Sequence, residues 1–168
     1  MIELPEAICL SRQLDGVLTG KTIVRAEAGS SPHGFAWYTG DPASYSARVS
    51  GRQVVGCENR CGHVWINLEG DVSLILAEGP AIRIWKKGEK LPKKLQLELE
   101  MEDGLILTAA TRMYAFYALS DGLEPLNPYL QRAVEGPNVL DQSFAFDQFC
   151  LAADRSEERR VGKECRSR

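Results

Sequence analysis

At 168 residues, with 44% hydrophobic and 26% charged side chains, the chain is large enough to bury one core without disulfide or metal staples. No apolar run approaches the ~18 residues of a membrane-spanning helix, and the opening Met-Ile-Glu-Leu-Pro-Glu has neither the basic nor the apolar region of a secretory signal. Both features argue against a membrane or exported protein, and a reducing, cytoplasmic compartment is expected.

Leu4, Ala7, Leu10, Leu14, Val17 and Leu18 recur at helical spacing and predict an amphipathic helix over 4–18. Pro5 suits its first turn, Glu3 and Glu6 sit where the helix dipole favours carboxylates, and Gly20 ends the segment. From Lys21 the pattern becomes short and strand-like, with candidate strands at 21–27, 53–58, 63–68, 72–77, 81–85, 95–101, 105–110 and 114–118. Val64, Ile66 and Leu68 alternate with Trp65 and Asn67, and Leu95, Leu97, Leu99 and Met101 alternate with polar neighbours. Glu69-Gly70-Asp71 and Glu102-Asp103-Gly104 punctuate them as turns. Residues 30–42 are expected to form a long loop. The whole predicts an α+β, mainly β fold: an N-terminal helix on a two-sheet antiparallel β-sandwich.

Gly136-Pro137 breaks the chain, and Phe144 to Ala153 then reads as helical, which places a domain boundary near 136. Residues 155–168 match, codon for codon, an in-frame translation of a short-read sequencing adapter and are set aside as a non-native tail. That tail carries six Lys/Arg and three Glu; without it the 20 basic and 23 acidic residues fall to 14 and 20, a net of −6. The remaining chain lacks the basic stripe usual in a DNA-binding domain. Lys86, Lys87, Lys90, Lys93 and Lys94 form its one basic cluster, expected as a solvated hairpin loop. Five cysteines (Cys9, Cys57, Cys61, Cys150, Cys165) form no spaced framework. Cys57-x-x-x-Cys61 with His63 falls short of the four ligands of a structural zinc, so free or buried thiols and no metal site are expected.

Glu3-Leu4-Pro5-Glu6, a helix, then Gly20-Lys21-Thr22-Ile23 resembles the opening of the formamidopyrimidine-DNA glycosylase/endonuclease VIII family. Gly136-Pro137-x-x-Leu140-x-x-x-Phe144 resembles that family's entry into its helix–two-turn–helix domain. The resemblance covers about 1–154. It implies a catalytic-type domain over 1–135, the truncated start of a helix–two-turn–helix domain over 136–154, and a C-terminal half, with or without a zinc finger, beyond this chain. No cofactor is implied within the chain itself.

The resemblance also implies damaged double-stranded DNA as partner, bound by a monomer in the bacterial nucleoid. Such enzymes flip the damaged base out of the duplex, because its target atom is unreachable inside the stack. An N-terminal proline amine then attacks the sugar, a following glutamate handles protons, and elimination nicks the strand. Glu3 matches that glutamate, and Glu6 a second, more structural one. Position 2 is Ile2 where the family has proline, and a bulky β-branched residue there should block removal of Met1. His63 falls where the family has a phosphate-gripping lysine; it can donate to a phosphate but carries little charge at neutral pH. Thr111-Arg112-Met113-Tyr114-Ala115 resembles the family's Pro-Arg-Arg-Phe-Gly turn, which fills the hole left by the flipped base. Arg112 and Tyr114 keep the arginine and the aromatic ring. The family's Gly-Met-Thr-Gly-type loop is not recoverable from Ala77-Glu78-Gly79-Pro80.

The expected function is therefore recognition of damaged bases in duplex DNA, with base excision in the full-length parent; AP lyase chemistry is the family's further step, and Ile2 in place of the proline nucleophile argues against its efficiency. Two competitors stand beside it: a catalytically silent damage-binding homologue, and a β-sandwich module that binds a protein or small ligand through 30–42.

Overall fold

In the computed structural model, residues 2–123, 125–135 and 144–150 are described. The chain divides into two units, 1–134 and 135–168. Helix α1 spans Leu4–Leu18, as the apolar spacing predicts, and buries Ala7, Ser11, Leu14 and Leu18 along one stripe. Its N-terminal N–H groups lack intrahelical acceptors. Glu3 and Glu6 relieve the entry as a capping box: Glu6 accepts the Glu3 N–H at 3.2 Å, and the Glu3 side chain accepts the Glu6 N–H. Gly20, at φ 84°, turns the chain out of the helix in a conformation that side chains with a Cβ avoid.

The strands are β1 (Ile23–Ala28), β2 (Ala36–Tyr38), β3 (Val54–Arg60), β4 (His63–Leu68), β5 (Val72–Trp85), β6 (Leu97–Met101) and β7 (Ile106–Ser120). Among the described residues they form one hydrogen-bonded sheet in the order β1-β6-β7-β5-β4-β3, with β2 paired to β7. All ladders are antiparallel except the β2–β7 pair. Ile23, Leu97 and Leu107 from one part of the sheet share a single core with Val64, Ile66 and Leu74 from the other, and Leu14 and Leu18 of α1 join it. The sheet thus folds back on itself as a sandwich whose two layers are continuous through β5 and β7. Its outermost strands meet at one corner, where Val54 N–H bonds the Lys21 carbonyl at 2.9 Å and Gly51 N–H bonds the Ile23 carbonyl at 2.7 Å.

Several boundaries differ from the sequence expectation. The candidates 72–77 and 81–85 are one strand, β5, and 105–110 and 114–118 are one strand, β7. In each case the breaker residues bend a strand that long-range pairing keeps intact. The 30–42 segment is not all loop. It contains β2, held by the Phe35 carbonyl accepting Ala115 N–H at 2.9 Å and by Trp37 stacked 5.0 Å from Phe116. Two helices went unpredicted: α2 (Tyr45–Val49) and α3 (Pro128–Glu135). α3 brings Leu130 onto the outer sheet face, where a second cluster contains Trp65, Ile75, Ala77 and Ala118. That cover explains why β4 is buried on both faces rather than alternating. Of the expected helix over 144–153, residues 146–150 are helical and 151–153 lie outside the described residues. The Gly136-Pro137 break, Leu140 and the 155–168 tail also lie outside them.

Two polar ties hold the helices to the sheet. Asp15 accepts from the Thr19 hydroxyl at 2.9 Å and from Cys57 N–H of β3 at 2.8 Å. The Cys57 N–H and the Thr19 hydroxyl hold the Asp15 carboxyl below its ordinary range. Its stabilising effect is therefore complete above the unfolded carboxylate range near pH 4 and is lost as pH falls through the depressed folded value. Asp15→Ala is expected to lower the melting temperature at pH 7 and to change it little at pH 2.5. Thermal melts of both proteins across that interval check the sign. The second tie is Arg48 of α2, which pairs through Nε and Nη2 with both oxygens of Asp121, each at 2.6 Å.

Candidate functional site

β5 and β7 pair regularly on either side of one interruption. Glu78 is opposite Ala115 and Pro80 is opposite Thr111. Between these pairs a single residue of β5, Gly79, faces three of β7: Arg112, Met113 and Tyr114. The excess residues leave the ladder as a bulge, a device that re-aims side chains out of a sheet. Both feet of this arch are pinned. Thr111 N–H donates to Gln96 Oε1 at 2.6 Å, and Ala115 N–H donates to Phe35 O at 2.9 Å. Arg112 and Met113 are exposed and Tyr114 is half-buried.

The start of α1 comes to the same place. Ile2 N–H donates to the Glu78 carbonyl, which fixes the N-terminus against the kink of β5. Ile2, Glu6, Cys9, Pro80, Ile82 and Arg112 line one open groove of about 590 Å³. Glu3 is exposed at the N-cap beside Ile2, its side chain free of the ion pairs found elsewhere among the described residues. Both glutamates are exposed and both take part in the helix cap.

Glu78 and Tyr129 belong to this region and were missed in the sequence. Glu78 has a left-handed backbone, φ 73°, without being glycine, a conformation that concentrates at functional sites. Its carboxylate accepts the Tyr129 hydroxyl proton, and that bond, with burial, pushes the phenol up to about 12. Tyr129 in turn stacks 5.9 Å from Phe116 and lies 6.2 Å from the His63 ring. The detectable signals were a Glu-Gly-Pro breaker between apolar runs and an Asn127-Pro128 helix start, where Asn127 Oδ1 accepts Tyr129 N–H at 2.8 Å.

His63 sits at the start of β4 and is 93% buried, with neither ring nitrogen hydrogen-bonded. Burial lowers its pKa, the nearby Glu78 carboxylate opposing, so the ring is neutral at physiological pH. It shares the Glu78 surroundings but does not line the groove that holds Ile2, Glu6 and Arg112.

The family model of the formamidopyrimidine-DNA glycosylase N-terminal domain matches residues 1–112. The chain belongs to this family. Among curated relatives, the formamidopyrimidine-DNA glycosylase of Mycolicibacterium paratuberculosis is 27% identical over 136 residues, covering 80% of this chain and 48% of the relative. That of Mycobacterium avium is 27% identical over 126 residues, covering 74% and 44%. The chain thus spans about half the length of the curated relatives it matches. Its fold is similar to that of Lactococcus lactis formamidopyrimidine-DNA glycosylase, solved non-covalently bound to DNA containing an AP site (TM-score 0.60, 21% identity, 70% of this chain and 45% of that one). The same enzyme's complex with FAPY-dG-containing DNA gives a TM-score of 0.60 over 70% of this chain and 43% of that one.

Elsewhere in this glycosylase-family domain, Lys86, Lys87, Lys90, Lys93 and Lys94 are exposed on the connection between β5 and β6. Cys57 and Cys61 are free thiols. Burial and the Asp15 charge push the Cys57 thiol up to about 12, which opposes the thiolate a metal requires. Among the described residues no group of three or more His, Cys, Asp or Glu could hold a metal ion, and no helix is long and apolar enough to cross a membrane.

Proposed function

We infer that this chain is the lesion-facing half of a DNA glycosylase that recognises damaged bases in duplex DNA. The observation that carries this reading is the shared groove: Ile2 and Glu6 from the start of α1 and Arg112 from β7 line a single cleft beside the bulge. Family membership supplies the reaction class. The curated relatives carry the name of a base-excision enzyme, and the Lactococcus lactis enzyme was solved on lesion-containing DNA. We assign 1–135 to the catalytic-type domain and 136–154 to the start of a helix–two-turn–helix domain.

Glu3 is the residue to which we assign proton transfer, because it matches the family's proton-handling glutamate and is exposed beside Ile2. In the simplest balanced sequence, a water attacks the sugar C1′ of the flipped nucleotide and Glu3 accepts its proton. The glycosidic bond breaks, and the departing base takes up the proton that Glu3 received from the water. Arg112 and Tyr114 are assigned to the space the base vacates, whereas His63, buried and away from the groove, is given no contact with the flanking phosphate. No cofactor enters this sequence.

The test is base release from duplexes carrying a formamidopyrimidine or oxidised purine, with undamaged duplex as control. Release only from the damaged strand is expected, falling roughly 10²–10⁴-fold in Glu3→Gln, the usual range for a lost acid–base group. Equal affinity for damaged and undamaged duplexes, with no release from either, would overturn the reading.

A further inference from the structure

We propose that Tyr129 is a positioning residue for the N-terminal end of the groove: through Glu78 it holds Ile2, and with it Glu3, in place for base release. The part played in base release rests on the glycosylase reading above. Tyr129 stands in the first turn of α3, and its hydroxyl donates to Glu78 Oε1 on β5. The backbone carbonyl of the same Glu78 accepts the Ile2 N–H. A single residue of β5 therefore joins α3 to the segment that carries Glu3.

Glu78 is a joint that needs outside support. At φ 73° its Cβ is crowded against the following carbonyl, a strain that persists only where the surroundings impose it. Regular pairing also stops here: Glu78 faces Ala115, and the next pair is Pro80 with Thr111. The ladder steadies Glu78 on its Ala77 side, and Gly79 beyond it has no side chain to pack. The Tyr129 hydroxyl supplies the second hold, and Tyr129 is itself fixed. Leu130, 1% exposed, seats the helix against Trp65, Ile75, Ala77 and Ala118. Asn127 Oδ1 accepts the Tyr129 N–H at 2.8 Å, and the ring stacks 5.9 Å from Phe116. The bond to Glu78, with burial, raises the phenol to about 12, so it remains a donor throughout the physiological range. Tyr129 is 50% exposed, so water competes for the bond and keeps its effect to a modest factor.

The experiment follows isoleucine amide exchange by NMR in the 168-residue chain and in Tyr129→Phe, which loses the hydroxyl and keeps the ring. Ile2 is expected to exchange roughly ten-fold faster in the variant, the order of effect of one hydrogen bond, while Ile66 and Ile75 within the sheet stay unchanged. Glu78→Gln, whose amide oxygen still accepts the phenol proton, should keep most of the Ile2 protection, and Glu78→Ala should lose it. Single-turnover base release from the damaged duplex should slow by a similar factor in Tyr129→Phe, with the Kd for that duplex unchanged. Unaltered Ile2 exchange or an unaltered release rate would overturn the proposal. So would faster exchange at Ile66 and Ile75 as well, since Tyr129 would then support the fold at large. A native chain that releases no base, yet keeps Tyr129-dependent protection of Ile2, would sink the glycosylase reading and leave the hold on the N-terminus standing.

Discussion

Borohydride reduction of this protein on an abasic-site duplex is expected to trap no covalent adduct at residue 2. Schiff-base chemistry needs a free amine whose lone pair reaches the sugar carbon. With Met1 in place, the nitrogen of Ile2 belongs to an amide, and its N–H is donated to the Glu78 carbonyl. An amide lone pair is delocalised into the carbonyl and does not attack. Removing Met1 would not restore the reaction efficiently, because the freed amine would still face the Glu78 carbonyl and hydrogen bonding to its charged form favours the ammonium. The expected outcome is therefore base release without strand nicking. A trapped adduct mapped to residue 2 would show that the amine pathway survives, and Glu3-independent release would remove Glu3 from the chemistry.

The largest effect on stability is expected at Asp121. Its carboxylate receives both Nε and Nη2 of Arg48, with side-chain exposures of 6% and 12%. Cutting one partner from such a pair leaves the other charge desolvated, which costs 3–5 kcal/mol when burial is complete. Arg48 keeps some solvent contact and a bond to Ser44 Oγ at 3.4 Å, so Asp121→Ala is expected to cost about 2–4 kcal/mol. At this chain length that corresponds to a fall of roughly 5–15 °C in Tm. The paired guanidinium also holds the Asp121 carboxyl below its ordinary range. The loss should therefore be full above the unfolded carboxylate range near pH 4 and should shrink as the native protein is acidified through the depressed value. The double variant Arg48→Met/Asp121→Leu should recover much of the stability, since no charge is then left unpaired. A Tm unchanged in Asp121→Ala would show that solvent already satisfies both groups.

The helix over 4–18 was legible because its apolar stripe, Pro5 and the acidic first turn all agree on one element. The strand candidates were legible for the same local reason. Their continuity was not. Nothing in Ala77 to Ala81 says that Gly79-Pro80 bends a strand rather than ending it; that follows from the β7 partner, which lies more than thirty residues away in the chain. β2 is three residues long and has no periodicity to detect, existing only because β7 supplies its hydrogen bonds. α3 carried a recognisable Asn127-Pro128 start but too short an apolar stripe to stand out. At the site, the family resemblance marked Ile2, Glu3, Glu6, Arg112 and Tyr114. For Glu78 the sequence offered only the Glu-Gly-Pro breaker, which does not reveal the backbone carbonyl and left-handed φ on which its importance rests.

The hold of Glu78 on Ile2 also governs when the site can exist during synthesis. Ile2, Glu3 and Glu6 are made before the strands they dock against. Their docking point on β5 follows some seventy residues later, and β5 is itself a central strand only once β7 has paired along it. β1 waits likewise for β6, through pairs such as Ile23 with Met101. Such distant pairings close slowly, because loop entropy is lost before the contacts return it. The groove that Ile2 and Glu6 share with Arg112 thus cannot form on a nascent chain that stops short of β7.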